Sequence, residues 1–301
     1  MNLTSLPLVS VIAVCHDHKD YVIQALEGIR NQTYPCIELI IINNCKDECE
    51  ELIRNWIFQN NISCSFIQNE IPQSFPSNLN MALSQISGVF FQAISCDDIM
   101  LKDKISLQVG VFSNSDNRLA CVYGDALLID ADNKVDFSMT LQERKAKKWN
   151  LNLFSEGGLR KELTTLSYVP APTVLLRTEI IRSLGLYDER MVLEDWPMWL
   201  KISEAGYVFA CVPEVLIYYR VLNGSLGSNL LNSAYNSSLM LFYEENIHKL
   251  NFSNIQTFKN FYSVVRYSSK TKKNILLLIR AIVKSFRIFN LKYLIRFLIL
   301  D

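Results

Sequence analysis

Three short apolar runs, Leu8–Val14, Ile37–Ile42 and Val89–Ile94, constrain this chain more than any other feature. Runs of this length, rich in β-branched or aromatic residues and almost unbroken, suit strands covered on both faces. Between them the spacing turns helical. Val22, Ala25, Leu26 and Ile29 form one stripe, and a polar helix is expected up to about Asn60. A weaker third strand is expected at Ser63–Gln68. A helix over Pro76–Ser87 then follows, with Leu79, Leu83 and Ile86 inward and Gly88 as its C-terminal stop. Strand and helix in strict alternation predict an α/β fold with a parallel sheet. Such sheets bind ligands beyond the carboxyl ends of their strands.

Each strong run ends in polar residues: Cys15–Lys19, Asn43-Asn44 and Ser95–Asp98. The last is the most demanding, because Asp97 and Asp98 are adjacent and no Lys or Arg occurs before Lys102. Neighbouring carboxylates repel, and each loses hydration at the end of a buried strand. A bound metal ion resolves that conflict, and so does the start of a helix. Both readings stay open on the residues alone. The turn Cys15-His16-Asp17-His18-Lys19-Asp20 has no glycine, which argues against a phosphate-binding glycine loop and the nucleotidyltransferase-like enzymes that use one. The eight cysteines show no disulfide framework and suit a reducing compartment. Cys45 and Cys49 lack a second Cys/His pair for zinc, and His16 and His18 read as loop residues.

Beyond Asp125 the alternation weakens. Residues 130–167 are polar and irregular, and the charge run Gln142–Lys148 reads as a solvated face. Order returns at Val169–Leu176, and a helix from about Thr178 ends at Gly185. Glu194-Asp195-Trp196-Pro197 opens another helix, with Trp199 and Ile202 on its apolar stripe and Asp195 suited to a cap.

No signal peptide is indicated, and no apolar stretch reaches the roughly 18–20 residues of a membrane span, so a cytoplasmic protein is expected. Net charge is zero, but residues 270–301 hold eight Lys or Arg and one acid, leaving an acidic body. Lys273, Arg280, Lys284 and Arg287 recur on one helical stripe, and Lys292 and Arg296 resume it after Asn290. Such a helix either lies on an anionic membrane surface or packs on the acidic body. No nucleic-acid partner is expected.

Taken together, four ordered segments resemble glycosyltransferase family 2. "VSVIAVCHDHKDYV" is similar to that family's first strand and turn, and "ALEGIRNQTYPCIELIIINN" to its helix, Gln-Thr-Tyr turn and second strand. "SNLNMALSQISG" followed by "FFQAISCDDIMLKDKI" resembles the helix and metal motif, and "GLYDERMVLEDWPMWLKISEAGYVFACVPEVLIYYRV" the acceptor-side segment. The resemblance covers roughly residues 8–222. It implies a GT-A fold, Rossmann-like with a mixed, mainly parallel sheet. Residues 1–230 would form the catalytic domain and residues 231–301 a C-terminal helical region. It further implies an inverting, Mn²⁺- or Mg²⁺-assisted transfer from a nucleoside diphosphate sugar, with UDP the expected nucleotide.

The resemblance also assigns roles. Asp97 matches the metal-binding carboxylate, and Asp195 the base that takes the acceptor's proton. Glu194 and Trp196 fall on the acceptor side, Trp196 either stacking on a sugar or packing inside. Asp98 contacts the donor sugar or caps the next helix, and Arg220 approaches the diphosphate or pairs with a local acid. Asp17 stands near base and ribose, with helix capping as its alternative. Three positions depart from the pattern: Ser95 replaces an Asp near the ribose, while Asn43 and Asn44 replace acids, Asn44 at the base-reading place. These departures leave room for a non-catalytic binding protein with this fold. The expected acceptor is a saccharide on polyprenyl pyrophosphate, in O-antigen or capsule synthesis at the inner face of the cytoplasmic membrane, where the tail would hold the enzyme.

Overall fold

The structure, a computed structural model, describes residues 6–149, 159, 163–222, 233–268, 272–285, 293–295 and 298. The first part runs β1 (Val9–Cys15), α1 (Val22–Arg30), β2 (Ile37–Asn43), α2 (Cys49–Gln59), β3 (Ser65–Gln68), α3 (Phe75–Leu83) and β4 (Phe90–Ser95). A short β5 (Ile99–Met100), α4 (Lys104–Ser113), β6 (Leu119–Ile129), β7 (Val135–Asp136) and α5 (Leu141–Trp149) follow. After a 3₁₀ turn at Ala171–Thr173 come β8 (Leu175–Arg177), α6 (Thr178–Ser183), α7 (Asp195–Glu204) and β9 (Val208–Arg220). The chain then turns helical, with α8 (Ser233–Asn246), α9 (Ile255–Arg266) and α10 (Lys272–Ser285).

Among the described residues, one sheet has the order β3-β2-β1-β4-β8-β6-β9-β5, with β7 paired to β6. The strands β3, β2, β1 and β4 are parallel, β8 runs against both β4 and β6, and β6 and β9 are parallel. The apolar runs are continuous because both faces are covered. Val9, Val11 and Ala13 point into a core with α1, α2 and α4, while Ile12 and Val14 point into a second core with α3, α6 and α7. Leu39 and Ile41 against Ile40 and Ile42 repeat the division on β2.

Several expectations shift. The helix expected over Pro76–Ser87 is α3 at Phe75–Leu83, capped by Ser74, whose hydroxyl accepts the Ser77 amide at 3.2 Å. Gly88 does not stop it. A Cβ there would lie 2.3 Å from Ser10 Oγ and 2.7 Å from the Ser10 nitrogen, so the glycine lets the chain press on β1. Its amide donates to Ser10 Oγ and to Glu38. Gly185, by contrast, has φ +84° and does terminate α6.

The boundary expected at residue 230 does not separate two cores. Phe242, Phe258, Phe261 and Leu278 belong to the same apolar cluster as Trp199 and Leu79. The tail helix α10 likewise packs on the body, burying Leu277, Leu278 and Ala281. Lys273 pairs with Glu244 at 2.6 Å, and the Lys284 ammonium donates to the carbonyls of Ile247 and His248. Its outer face keeps Leu276, Ile279 and Val283 exposed. Arg287, Lys292 and Arg296 lie outside the described residues. Among the described residues no helix is long and apolar enough to cross a membrane.

Candidate active site

The sheet register builds the floor of the site. Cys15 pairs with Asn43 and Val14 with Ser95, so β1, β2 and β4 end level with one another. This is also where the strand order reverses, since β2 lies on one side of β1 and β4 on the other. Asp17 follows β1 at φ 58°, a left-handed conformation that Asp and Asn adopt more readily than most residues. It does not cap α1, whose N-cap is Tyr21. Its side chain is exposed, and its amide donates to Asp47 Oδ2 at 3.0 Å. Asp47, which the sequence did not single out, also accepts from the Asn43 amide at 3.1 Å and from the Cys49 amide at 3.0 Å. One carboxylate thus ties the ends of β1 and β2 to the start of α2.

The two asparagines are structural to a degree the sequence hid. Asn44 Oδ1 accepts from Asn69, Asn78 and the Gln73 amide, each at 2.9 Å, and its own amide donates to the Gln73 carbonyl at 2.9 Å. The oxygen expected to read the base instead pins the 69–78 loop. Asn43 donates to Cys45, Asp47 and Gln68, organising the strand-end turn.

Asp97 and Asp98 part company. Asp97 keeps 18% of its side chain exposed, and His18 Nε2 lies 4.0 Å from its Oδ1. His18 is therefore more than a loop residue. Burial favours its neutral imidazole, against the pull of the Asp97 charge. Asp98 is buried and does not start a helix: α4 begins six residues later. Its Oδ1 accepts the Arg220 amide at 2.8 Å. Burial, then the Asp97 charge, pushes the Asp98 carboxyl well above its ordinary range, while Arg220 pulls it back.

Arg220 is buried as well, and its guanidinium is spent within the chain. Nε donates to the Asp97 carbonyl at 2.8 Å, Nη1 to the Asp130 carbonyl at 2.6 Å, and Nη2 to Gln24 and Asn133 at 3.1 and 2.7 Å. The same group lies 4.1 Å from the Tyr21 ring centroid. The guanidinium meets carbonyl and amide oxygens in place of a carboxylate, so Arg220 ties the last strand to the Asp97-Asp98 turn. Ser95 ends β4 half-buried, and its carbonyl accepts the Asp98 amide at 3.1 Å.

The second set of acids comes from α7. Glu194 is the N-cap residue and Asp195 the first helical one, a position where the helix dipole favours a carboxylate. Asp195 Oδ1 accepts the Trp196 amide at 2.6 Å, and Oδ2 accepts the Ser167 hydroxyl at 2.7 Å. Burial, then the Asp195 charge, pushes Glu194 up to about 8. Trp196 is buried. Its indole donates to the Leu163 carbonyl at 2.7 Å and packs 4.4 Å from the Phe242 ring, so its place is the core. Tyr219, on β9, feels the charge of both sets. After burial, the charges of Asp98, Asp97, Asp195 and Glu194 all raise its phenol. Nothing in the sequence marks that residue, because only the fold brings these acids near it.

Among the described residues no three His, Cys, Asp or Glu side chains converge as a protein cage for a metal. A hard cation needs no such cage when substrate phosphates share its coordination, and one open carboxylate is a common protein share. Asp97 fits that role.

The family model for glycosyl transferase family 2 matches residues 10–185. An uncharacterized glycosyltransferase of Rickettsia prowazekii is 26% identical over 235 residues, 75% of this chain and 68% of the relative. A putative teichuronic acid biosynthesis glycosyltransferase of Bacillus subtilis, TuaG, is 22% identical over 76% of this chain and 84% of its own length. Among solved structures, the mannosyltransferase PcManGT from Pyrobaculum calidifontis, in complex with GDP-Man and Mn²⁺, aligns with a TM-score of 0.60 at 14% identity, covering 98% of this chain and 87% of the other. TarS of S. aureus in complex with UDP-GlcNAc aligns at 0.58 and 16% identity, covering 95% and 89%. The fold expected from the sequence is the fold observed.

Proposed function

We propose, from the premise that this chain belongs to glycosyltransferase family 2, that it moves a sugar with inversion from a UDP-sugar to a saccharide hydroxyl. The observation that supports this reading is a pair of carboxylate sets on separate elements, Asp97 just past β4 with His18 4.0 Å away and Glu194-Asp195 at the start of α7, with Asp195 held by Ser167. Asp97, with the donor's phosphate oxygens, would hold Mn²⁺ or Mg²⁺, and that cation offsets charge on the departing diphosphate. Asp195 takes the proton from the acceptor hydroxyl as its oxygen bonds to the anomeric carbon. The bond from that carbon to the phosphate oxygen breaks, and its electron pair leaves with the nucleoside diphosphate. Glu194, its carboxyl pushed up to about 8 by burial and the Asp195 charge, would donate a hydrogen bond beside the base. Asp17 and Ser95 lie at the ribose end of the floor, and the loop pinned by Asn44 takes over the reading of the base. Asp98 and Arg220 support the Asp97 turn from below.

The acceptor of this reading is a growing bacterial surface polysaccharide, O-antigen or capsule, on polyprenyl pyrophosphate. Relatives named for teichuronic and teichoic acid synthesis support a cell-surface polymer. The exposed Leu276, Ile279 and Val283 on α10, with Arg280 beside them, support contact with the inner face of the cytoplasmic membrane.

The test is a screen of UDP-, GDP- and dTDP-sugars with Mn²⁺, followed through sugar release to water or to a lipid-pyrophosphate saccharide. Asp97→Asn should abolish turnover and weaken Mn²⁺-dependent donor binding without unfolding the protein. Asp195→Asn should bind donor normally and lose most turnover. A wild-type rate in Asp195→Asn, or no turnover of any nucleotide sugar by the native protein, overturns the reading.

A further inference from the structure

The base carboxylate is held from outside its own helix. Ser167 Oγ donates to Asp195 Oδ2 at 2.7 Å, and Ser167 is itself anchored. Its carbonyl and that of Tyr168 accept from the Lys145 ammonium at 2.8 and 3.3 Å. Lys145 sits in the charge run that reads as a solvated face, yet while Glu143, Lys147 and Lys148 are exposed, Lys145 is not.

The docking of α5 explains why Lys145 turns inward. The Gln142 amide donates to Asp125 Oδ1 at 3.0 Å, and its side chain donates to the Gly124 carbonyl at 2.7 Å. That clamp fixes the first turn of α5 on β6. Residues three apart share a helix face, so the same clamp delivers Lys145 to the 167–168 segment.

A cation is an expensive way to bind two carbonyls. Burial lowers the Lys145 ammonium to about 8, and the charges of Asp195 and Asp125 work against that loss. A neutral side chain would avoid the cost if packing were all that was needed.

We infer that Lys145 and Ser167 form a positioning arm for the base: Lys145 fixes the Ser167 segment and supplies positive potential, and Ser167 aims one Asp195 oxygen. The inference rests on the assignment of Asp195 as base. The groups that act on this carboxylate are Glu194 beside it, Lys145 from α5 and Asp125 behind Lys145. Three phenols, Tyr187, Tyr219 and Tyr235, stand close enough to feel its charge. Among these groups Lys145 brings the positive charge, so its removal should move the acid limb of the rate profile toward higher pH.

The test uses the full chain, the nucleotide sugar selected by the screen and Mn²⁺, with water as the acceptor. Lys145→Met should lower kcat about 10–100-fold, the scale of a misplaced catalytic group. It should leave donor KM within about twofold, and move the acid limb of the rate profile up by about one pH unit. Lys145→Arg should keep the wild-type limb and restore most of kcat. Ser167→Ala should lower kcat and raise the limb independently, which serves if Lys145→Met does not fold. Equal losses in Lys145→Met and Lys145→Arg with an unmoved limb would mean packing alone and overturn the inference. If Asp195→Asn is inactive while Lys145→Met and Ser167→Ala behave as wild type, the arm is refuted and the base stands. If Asp195→Asn is fully active, both fall together.

Discussion

Replacing Arg220 by Met keeps most of the apolar stem and removes a buried guanidinium with four hydrogen bonds. The carbonyls of Asp97 and Asp130 lose a charged donor, Tyr21 loses a cation on its face, and Asp98 loses the nearby positive charge that favours its ionised form. Hydrogen bonds to charged groups are worth roughly 1.5–3 kcal/mol each, but four sharing one group do not add. Removing one partner from a buried charged network typically costs about 3–5 kcal/mol. At about 2–4 °C per kcal/mol for large domains, the melting temperature should fall by roughly 6–20 °C. Arg220→Lys should recover less than half, because one ammonium cannot reach partners spread around a planar fork. The assay pairs thermal and urea unfolding with titration of the folded protein by the selected nucleotide sugar. Unchanged stability with a large loss of donor affinity would refute the reasoning and return Arg220 to the diphosphate.

Three further outcomes are expected. Trp196→Ala should destabilise by about 3–5 kcal/mol, the usual cost of emptying an aromatic core position, while Trp196→Phe at permissive temperature keeps acceptor KM near wild type; a KM defect without destabilisation would put the indole back on the sugar. Glu194 is an acid whose folded-state value is raised to about 8, so its protonated form favours folding below its ordinary range, and that contribution is lost as pH rises toward 8. Glu194→Gln should therefore flatten the decline in urea midpoint between about pH 4.5 and 8, and an equally steep decline in the variant contradicts the assignment. Replacing Leu276, Ile279 and Val283 by Ser should abolish low-salt binding to anionic vesicles without lowering the melting point; unchanged binding means that α10 is not the contact.

The strands were legible because burial on both faces leaves most residues of β1, β2 and β4 apolar. The polar ends of these strands were legible too, and the register sets Cys15, Asn43 and Ser95 close together. What failed were inferences about where one side chain points. Trp196 and Asp195 are adjacent in sequence, yet one goes to the core and the other to Ser167, because partners at 163, 167 and 242 decide the matter. Arg220 and Lys145 carry the same formal charge as many surface residues, and only contacts over long sequence separations turn them inward. Gly88 looked like a helix stop because glycine serves equally for a turn and for a close approach. For the tail, charge alone left two places open, and the apolar residues at 277, 278 and 281 show its inner face packed on the body.

The antiparallel strand β8 has a consequence for synthesis. It covers the side of β4 away from β1, through Arg177 and Leu176 opposite Phe90 and Phe91. Until residues 175–177 have left the ribosome, the parallel half-sheet has an unpaired aromatic border, the kind of edge that invites pairing between chains. About 80 residues separate β4 from β8, which at about 5–20 residues per second leaves that border open for roughly 4–16 s. The nascent protein is thus most exposed to aggregation while its middle third is being made.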